Sequence, residues 1–162
     1  MKNYKNILYA LCCLSFCSVI GGAIYEHLNI VPQWVKAPPA SLAMFQGDYG
    51  AHLEVFWINI HPITLLLFAI TLILFWKSAR RINILLPFAL YAIVLGITSI
   101  YFVPELMEIL GTPYAKSIDE SLVERAHLWE TLSHIRLLFI AVASVYLILG
   151  LTKPESRMVK SN

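Results

Sequence analysis

The sequence is poor in charge and in cysteine. Charged residues make up 14% of its 162 residues, whereas a soluble domain carries about 25%. It has no basic stripe and no Gly-rich phosphate loop, so nothing in it indicates a nucleic-acid partner. Its three cysteines, Cys12, Cys13 and Cys17, share one apolar run, which excludes a disulfide framework. The 59% hydrophobic content and the mean hydropathy of +0.70 instead indicate an integral membrane protein.

Four apolar stretches are each long enough to cross a bilayer, because about 20 apolar residues span a hydrocarbon core of about 30 Å. The predicted spans are residues 7–25, 55–76, 82–104 and 133–152. The chain is therefore expected to form one domain, 1–162, with outer loops at 26–54 and 105–120. We predict an all-α, four-helix membrane bundle whose first partner is the lipid bilayer.

Two features near the first span affect this interpretation. Lys2 and Lys5 precede the apolar run, and small residues follow at 21–23, so the run could instead be a signal peptide. The long connection 26–54 contains prolines, glycines and aromatic residues, which are typical of an interfacial loop. We expect it to cap one end of the bundle, with a short helix near residues 41–45.

The distribution of cations predicts the orientation. Eight of the twelve Lys and Arg residues lie near the two termini or in the turn at 77–81. By the positive-inside rule, both termini face the cytoplasm of an inner-membrane protein. Nine of the ten acidic residues and all five histidines then lie on the outer side, which is the periplasm in a bacterium. A polar pocket is therefore expected to face outward.

The fourth helix is expected to extend beyond the outer membrane face. Ser117 with Glu120, and Ser121 with Glu124, both fit the capping-box pattern, which predicts a helix start ahead of the membrane. A helix from there to residue 151 would be about 50 Å long at 1.5 Å per residue, longer than a bilayer core. Its first turns are therefore expected to project from the membrane.

This helix carries two polar stripes on opposite faces. One combines carboxylates and imidazoles: Glu120, Glu124, His127, Thr131 and His134. The other combines aromatic, aliphatic and guanidinium groups: Arg125, Trp129, Leu132 and Arg136. Only one stripe can face the bundle fully.

The first stripe is a candidate metal site, together with His61 and the pair Glu26-His27. Glu124 and His127 have the Glu-x-x-His spacing by which one helix supplies two ligands to an ion, and His134 follows on the same stripe. A transition metal is one candidate cofactor. A haem held by His61 and His134 is another. The alternative is that no cofactor binds and these groups lie on solvated helix ends.

The last third of the chain resembles a known family. The sequences Tyr-Phe-Val-Pro-Glu at 101–105, Arg-Ala-x-x-Trp at 125–129 and Leu-Ser-x-x-Arg at 132–136 are similar to those of the anthrone oxygenase-like family of small four-span membrane proteins. The resemblance implies a four-helix membrane bundle and cofactor-free oxidation of aromatic polyketides. It places Glu105, Trp129 and Arg136 at the matching positions, and so favours the Trp and Arg stripe as the inward one.

Two classes of function stay open. The first is a membrane oxidoreductase acting on an apolar aromatic or quinone-like compound, with His134 or His61 as proton acceptor and Arg136 stabilising negative charge. The second is a non-enzymatic accessory subunit or small-ligand binder, with a membrane protein or a second copy as partner. In both, we expect Arg136 to pair with a carboxylate, preferably Glu105, with Glu108 or Glu26 as alternatives.

Overall fold

The computed structural model describes residues 3–154, and this part of the chain is helical with no strand. Four helices in it are long and apolar enough to cross a membrane: Tyr4–Trp34, Glu54–Leu74, Arg81–Leu110 and Glu120–Thr152. We call them the first to fourth spans. The predicted all-α four-helix bundle is thereby confirmed. Lys2, Arg157 and Lys160, which entered the cation count, lie outside the described residues.

Two of the four spans, the first and the third, contain a π-helical turn between two α-helices. The first consists of α1 (Asn3–Tyr25), a π-helical turn (Glu26–Ile30) and α2 (Val31–Trp34). The second is α3 (Glu54–Leu74) alone. The third consists of α4 (Arg81–Ile97), a second π-helical turn (Thr98–Phe102) and α5 (Val103–Leu110), and the fourth contains α6 (Glu120–Leu149). Residues 26–34 and 105–110, expected in the outer loops, therefore continue the first and third helices.

A proline follows each π-helical turn. Pro32 lies in the first turn of α2 and Pro104 in the first turn of α5. Proline has no N–H to donate to the carbonyl four residues earlier, so a regular helix cannot pass through it unchanged. Single π turns often occur inside helices at functional positions. Here both lie in the same half of the bundle, and they carry the polar side chains of Glu26, His27 and Thr98.

The fourth helix begins at a cap that differs from the prediction. Asp119 is its N-cap, and its Oδ1 accepts hydrogen bonds from the backbone N–H groups of Ser121 at 2.9 Å and Leu122 at 3.2 Å. The capping boxes predicted at Ser117 and Ser121 were therefore wrong. α6 has 30 residues, about 45 Å at 1.5 Å per residue, and is longer than a bilayer core, as expected.

One end of the bundle, which we call the basic end, contains the turn between the second and third spans. Arg80 in this turn donates from Nε to the carbonyl of Lys153 at 2.7 Å and from a terminal nitrogen to Asn6 Oδ1 at 2.6 Å. Nearby, the Tyr9 hydroxyl donates to the carbonyl of Leu147 at 2.7 Å. Through Asn6 and the Leu151 carbonyl, the bonds of Arg80 join the turn to the first and fourth spans, and the Tyr9 bond joins those two spans to each other.

The opposite end, which we call the acidic end, is closed by an apolar cluster of buried side chains. Trp34, Leu42, Phe102, Ile109 and Trp129 are buried in it. The long connection folds over this cluster through a 3₁₀ helix at Ala40–Phe45, close to the short helix expected at 41–45. Its main chain also contacts the next connection, because the N–H of Asp119 donates to the carbonyl of Pro38 at 3.0 Å. The predicted cap is present.

Candidate functional site

The Trp and Arg stripe of the fourth span faces the bundle. Trp129 is 6% exposed, and Arg136 is half-buried. On the other stripe, Glu124 and His127 are exposed. The burial of these side chains therefore agrees with the expectation, taken from the resemblance, that the Trp and Arg stripe faces inward.

Polar side chains of all four spans meet in the half of the bundle nearer the acidic end. We call this set the polar cluster: Glu26, His27, Trp57, His61, Tyr91, Thr98, His134 and Arg136. The first two residues lie in the π-helical turn of the first span, and Thr98 begins the π-helical turn of the third. All of these residues except His134 are buried or half-buried inside apolar spans. Such polar groups within a span commonly mark function.

One side of the polar cluster is a chain of contacts through the second span. Trp57 Nε1 donates to Glu26 Oε1 at 2.8 Å, and the indole stacks on His61 with ring centroids 5.3 Å apart. His61 Nδ1 lies 2.6 Å from the hydroxyl of the buried Tyr91. This bond leaves the other ring nitrogen, Nε2, outside the contact with Tyr91. His61 is thereby held in one orientation from two sides.

The other side of the polar cluster is a pair of imidazoles. The rings of His27 and His134 lie 4.6 Å apart, edge to face. His27 Nδ1 bonds the carbonyl of Ala23 at 2.7 Å, and His134 Nδ1 bonds the carbonyl of Glu130 at 3.0 Å. A carbonyl only accepts, so Nδ1 carries a proton in both rings, and in the neutral form of either ring Nε2 is the acceptor. The buried His27 Nε2 has no partner among the described residues.

Arg136 joins the two sides. Its guanidinium donates to Thr98 Oγ1 at 2.9 Å, and its central carbon lies 4.1 Å from the centre of the Phe102 ring. The Glu26 carboxylate and the His61 ring lie within electrostatic reach of the guanidinium, which attracts the carboxylate and disfavours protonation of the imidazole. Glu26 was one of the predicted alternative partners. The bond to Thr98 uses one of the five guanidinium N–H donors.

A groove runs beside Arg136 between the third and fourth spans, and we call it the Arg136 groove. Its volume is about 260 Å³. Apart from Arg136, the lining is wholly apolar or aromatic: Val94, Ile97, Tyr101, Phe102, Leu132, Ile135 and Phe139. Several of these side chains are exposed, including Phe139 at 56%, so the groove opens on the lipid-facing surface of the bundle.

Glu105 has a different partner from the one expected. Arg125 Nε donates to Glu105 Oε1 at 2.7 Å, and another guanidinium nitrogen of Arg125 donates to Glu108 Oε2 at 2.7 Å. The predicted pairing of Arg136 with Glu105 was therefore wrong, as was its alternative with Glu108. Both carboxylates belong to an ion pair at the acidic end, outside the polar cluster.

The structure does not assemble the metal set predicted from the fourth helix. His127 Nδ1 lies 3.3 Å from Glu130 Oε2, while His134 contacts His27, so Glu124, His127 and His134 do not converge. Within residues 3–154, no group of three or more His, Cys, Asp or Glu side chains is placed to hold a metal ion. His61 and His134, considered as haem ligands, each pack against a different ring: Trp57 and His27, respectively.

Four members of the site were missed from the sequence: Trp57, Tyr91, Thr98 and Phe102. The spacing of Trp57 and His61 is i, i+4, which places both on one helix face, so this pair had a detectable signal. Tyr91 lies in α4 and Thr98 begins the π-helical turn that follows it, and each contacts another span. Tyr91 meets the second span and Thr98 the fourth. Nothing in the local sequence indicates those contacts.

No protein family, curated protein or solved structure matches the chain. We therefore infer function from the side-chain geometry.

Proposed function

We propose that the protein binds a small, lipid-soluble aromatic or quinone-like compound in the Arg136 groove. The observation that carries this proposal is an apolar and aromatic groove of about 260 Å³ that has Arg136 as its one charged lining residue. Ligand sites commonly combine apolar walls with a few polar groups that fix orientation. Arg136 would supply that group here, because its guanidinium has five N–H donors and makes one hydrogen bond, to Thr98, within residues 3–154.

The depth of Arg136 supports an apolar ligand that arrives through the bilayer. Arg136 precedes Thr152 by 16 positions, about 24 Å along a helix, so it lies within a core about 30 Å thick when the core boundary is near Thr152. A donor in this medium gains more from an oxygen acceptor than it would in water. The aromatic side chains of Tyr101, Phe102 and Phe139 suit an aromatic ring, since such rings attract one another at their edges and offset faces.

Binding of a soluble benzoquinone or naphthoquinone analogue to the purified protein in detergent tests the proposal, with tryptophan fluorescence as the readout. We expect saturable binding that is at least tenfold weaker in Arg136→Gln. Arg125→Gln is the matched control, because Arg125 lies on the same helix but outside the groove. Equal affinity in wild type and Arg136→Gln would remove the proposal and favour a non-enzymatic role in assembly.

The second candidate function is the oxidation implied by the resemblance to anthrone oxygenase-like proteins. It is favoured by His61, whose ring is held by the Tyr91 hydroxyl at Nδ1 and keeps Nε2 outside that contact. His61 would take a proton from a ring methylene beside a carbonyl, and Arg136 would hold the resulting enolate oxygen. With dioxygen as oxidant, the methylene and O₂ give a carbonyl and one water. Oxygen uptake with an anthrone tests this function, and His61→Ala should abolish the uptake while keeping the binding.

We also propose that the acidic end faces the outside of an inner membrane. The cation distribution supports this orientation. Reporter fusions in the turn 77–81 should give a cytoplasmic signal, and fusions within 38–50 an external one. The reverse pattern would overturn the orientation and leave the ligand proposal standing.

A further inference from the structure

The two ends of the bundle differ sharply in charge. Nine of the ten acidic residues lie in the described part of the chain, and none of these nine is at the basic end. The described residues at that end carry five cations: Lys5, Lys77, Arg80, Arg81 and Lys153. The described part of this end therefore has a net positive charge, which attracts anions.

A groove of about 490 Å³ lies at the basic end, between the start of the first span and the end of the second. We call it the basic-end groove. Its wall is apolar, formed by Ile73 and Leu74, and its rim carries Trp76, Lys5 and Lys77. Ile73 is 73% exposed and Trp76 is 50% exposed, so the wall and the rim both face the surroundings of the bundle.

The rim is held in place by its neighbours. The guanidinium carbon of Arg81 lies 5.3 Å from the centre of the Trp76 ring, a cation–π contact that positions the indole. Arg80 anchors the same turn through its bonds to Lys153 and Asn6. The groove is therefore built on a turn that is tied to the first and fourth spans, and an occupant does not have to order it.

We propose that the basic-end groove binds an anionic phospholipid. The phosphate lies beside the Lys77 ammonium, with Arg81 adding positive charge nearby, and an acyl chain lies along Ile73 and Leu74. Trp76 occupies the level of the headgroup, where indoles are enriched. Basic residues clustered next to a membrane span attract anionic lipid headgroups electrostatically, and each cation adds to the attraction. A free phosphate ion would make no contact with the apolar wall, and a zwitterionic lipid would bring no net negative charge to the Lys77 ammonium.

Thermal unfolding of the purified protein in a non-ionic detergent tests the proposal. Phosphatidylglycerol, phosphatidylcholine with the same acyl chains, and inorganic phosphate are each titrated at low salt. We expect phosphatidylglycerol to raise Tm in a saturable way, because a ligand that binds only the folded state stabilises it. Phosphatidylcholine and phosphate should produce much smaller shifts. Added salt should weaken the phosphatidylglycerol effect through screening.

Two variants make the test specific. Lys77→Gln should weaken phosphatidylglycerol binding about fivefold, while Lys36→Gln, which changes an exposed lysine at the acidic end, should leave it unchanged. Equal shifts with both lipids, an equal shift with phosphate, or an unaltered response in Lys77→Gln would each overturn the proposal. These outcomes are independent of the Arg136 groove, which lies in the other half of the bundle.

Discussion

Trp129 and Phe102 join the third and fourth spans through a hydrogen bond from an indole to the main chain. Trp129 Nε1 donates to the carbonyl of Phe102 at 2.9 Å. Phe102 ends the π-helical turn of the third span, and its ring also packs against the guanidinium of Arg136. The bond therefore fixes the turn that carries one wall of the Arg136 groove. A change at Trp129 is expected to affect both stability and ligand binding.

We expect Trp129→Phe to destabilise the protein by about 1–3 kcal/mol, because the buried carbonyl of Phe102 loses a donor. Unfolding in detergent, followed by circular dichroism, measures this change. Trp76→Phe is the control, since Trp76 is 50% exposed at the basic end. If both substitutions lower the free energy of unfolding by the same amount, the hydrogen bond to Phe102 makes no separate contribution to stability.

The span layout could be predicted from the sequence because the length of an apolar run is set by the thickness of the bilayer. The residues at which the helices end were harder to predict from the sequence. Glu26, His27 and Pro32 have the composition of a loop, yet the first helix continues through them to Trp34. The surrounding bundle stabilises this extension, since His27 and Trp34 are both buried. Local composition carries no information about such contacts.

The pairing of Arg125 with Glu105 could not be derived for a related reason. A regular helix fixes the direction of each side chain by its position in the sequence. The π-helical turn Thr98–Phe102 adds a residue to one turn, which rotates everything after it by about 100° relative to a regular helix. Glu105 lies three residues after that turn. Its direction, and hence the choice between Arg125 and Arg136, depends on a feature that the sequence pattern does not reveal.

Gly150→Ala should be strongly destabilising. A Cβ at position 150 would overlap the Tyr9 hydroxyl and lie 2.7 Å from Asn83 Cβ. Tyr9 cannot move freely, because its hydroxyl bonds the carbonyl of Leu147. Overpacking of this kind costs about 1–3 kcal/mol, measured as a lower Tm in detergent. Gly96→Ala is the matched control, since a Cβ added there would meet no atom within 4 Å. A neutral Gly150→Ala would show that the first and fourth spans separate easily.

The cap at Asp119 should contribute a pH-dependent term to stability. Hydrogen bonds from the Ser121 hydroxyl and the backbone N–H of Leu122 lower the pKa of Asp119 below its ordinary value. A lowered folded-state pKa means that the stabilisation is present above the unfolded value of about 4 and is lost as the pH falls through the folded value. Asp119→Asn keeps a capping oxygen but does not titrate. We expect its Tm to fall less than that of wild type as the pH is lowered from about 6 through the unfolded value of about 4 and below it. Asp48→Asn, at an exposed loop position, should follow the wild-type curve.

The ion pair at the acidic end gives a direct contrast between two arginines of one helix. Arg125 and Glu105 are 38% and 22% exposed and meet at 2.7 Å, a geometry for which we expect a coupling energy of about 0.5–1 kcal/mol. A double-mutant cycle with Arg125→Gln and Glu105→Gln measures it. The parallel cycle with Arg136→Gln should be additive to within about 0.5 kcal/mol, because these residues share no contact. Coupling of Glu105 to Arg136 instead would restore the pairing expected from the sequence and contradict the observed one. The Arg125 coupling should also shrink as salt is added, since both groups reach solvent.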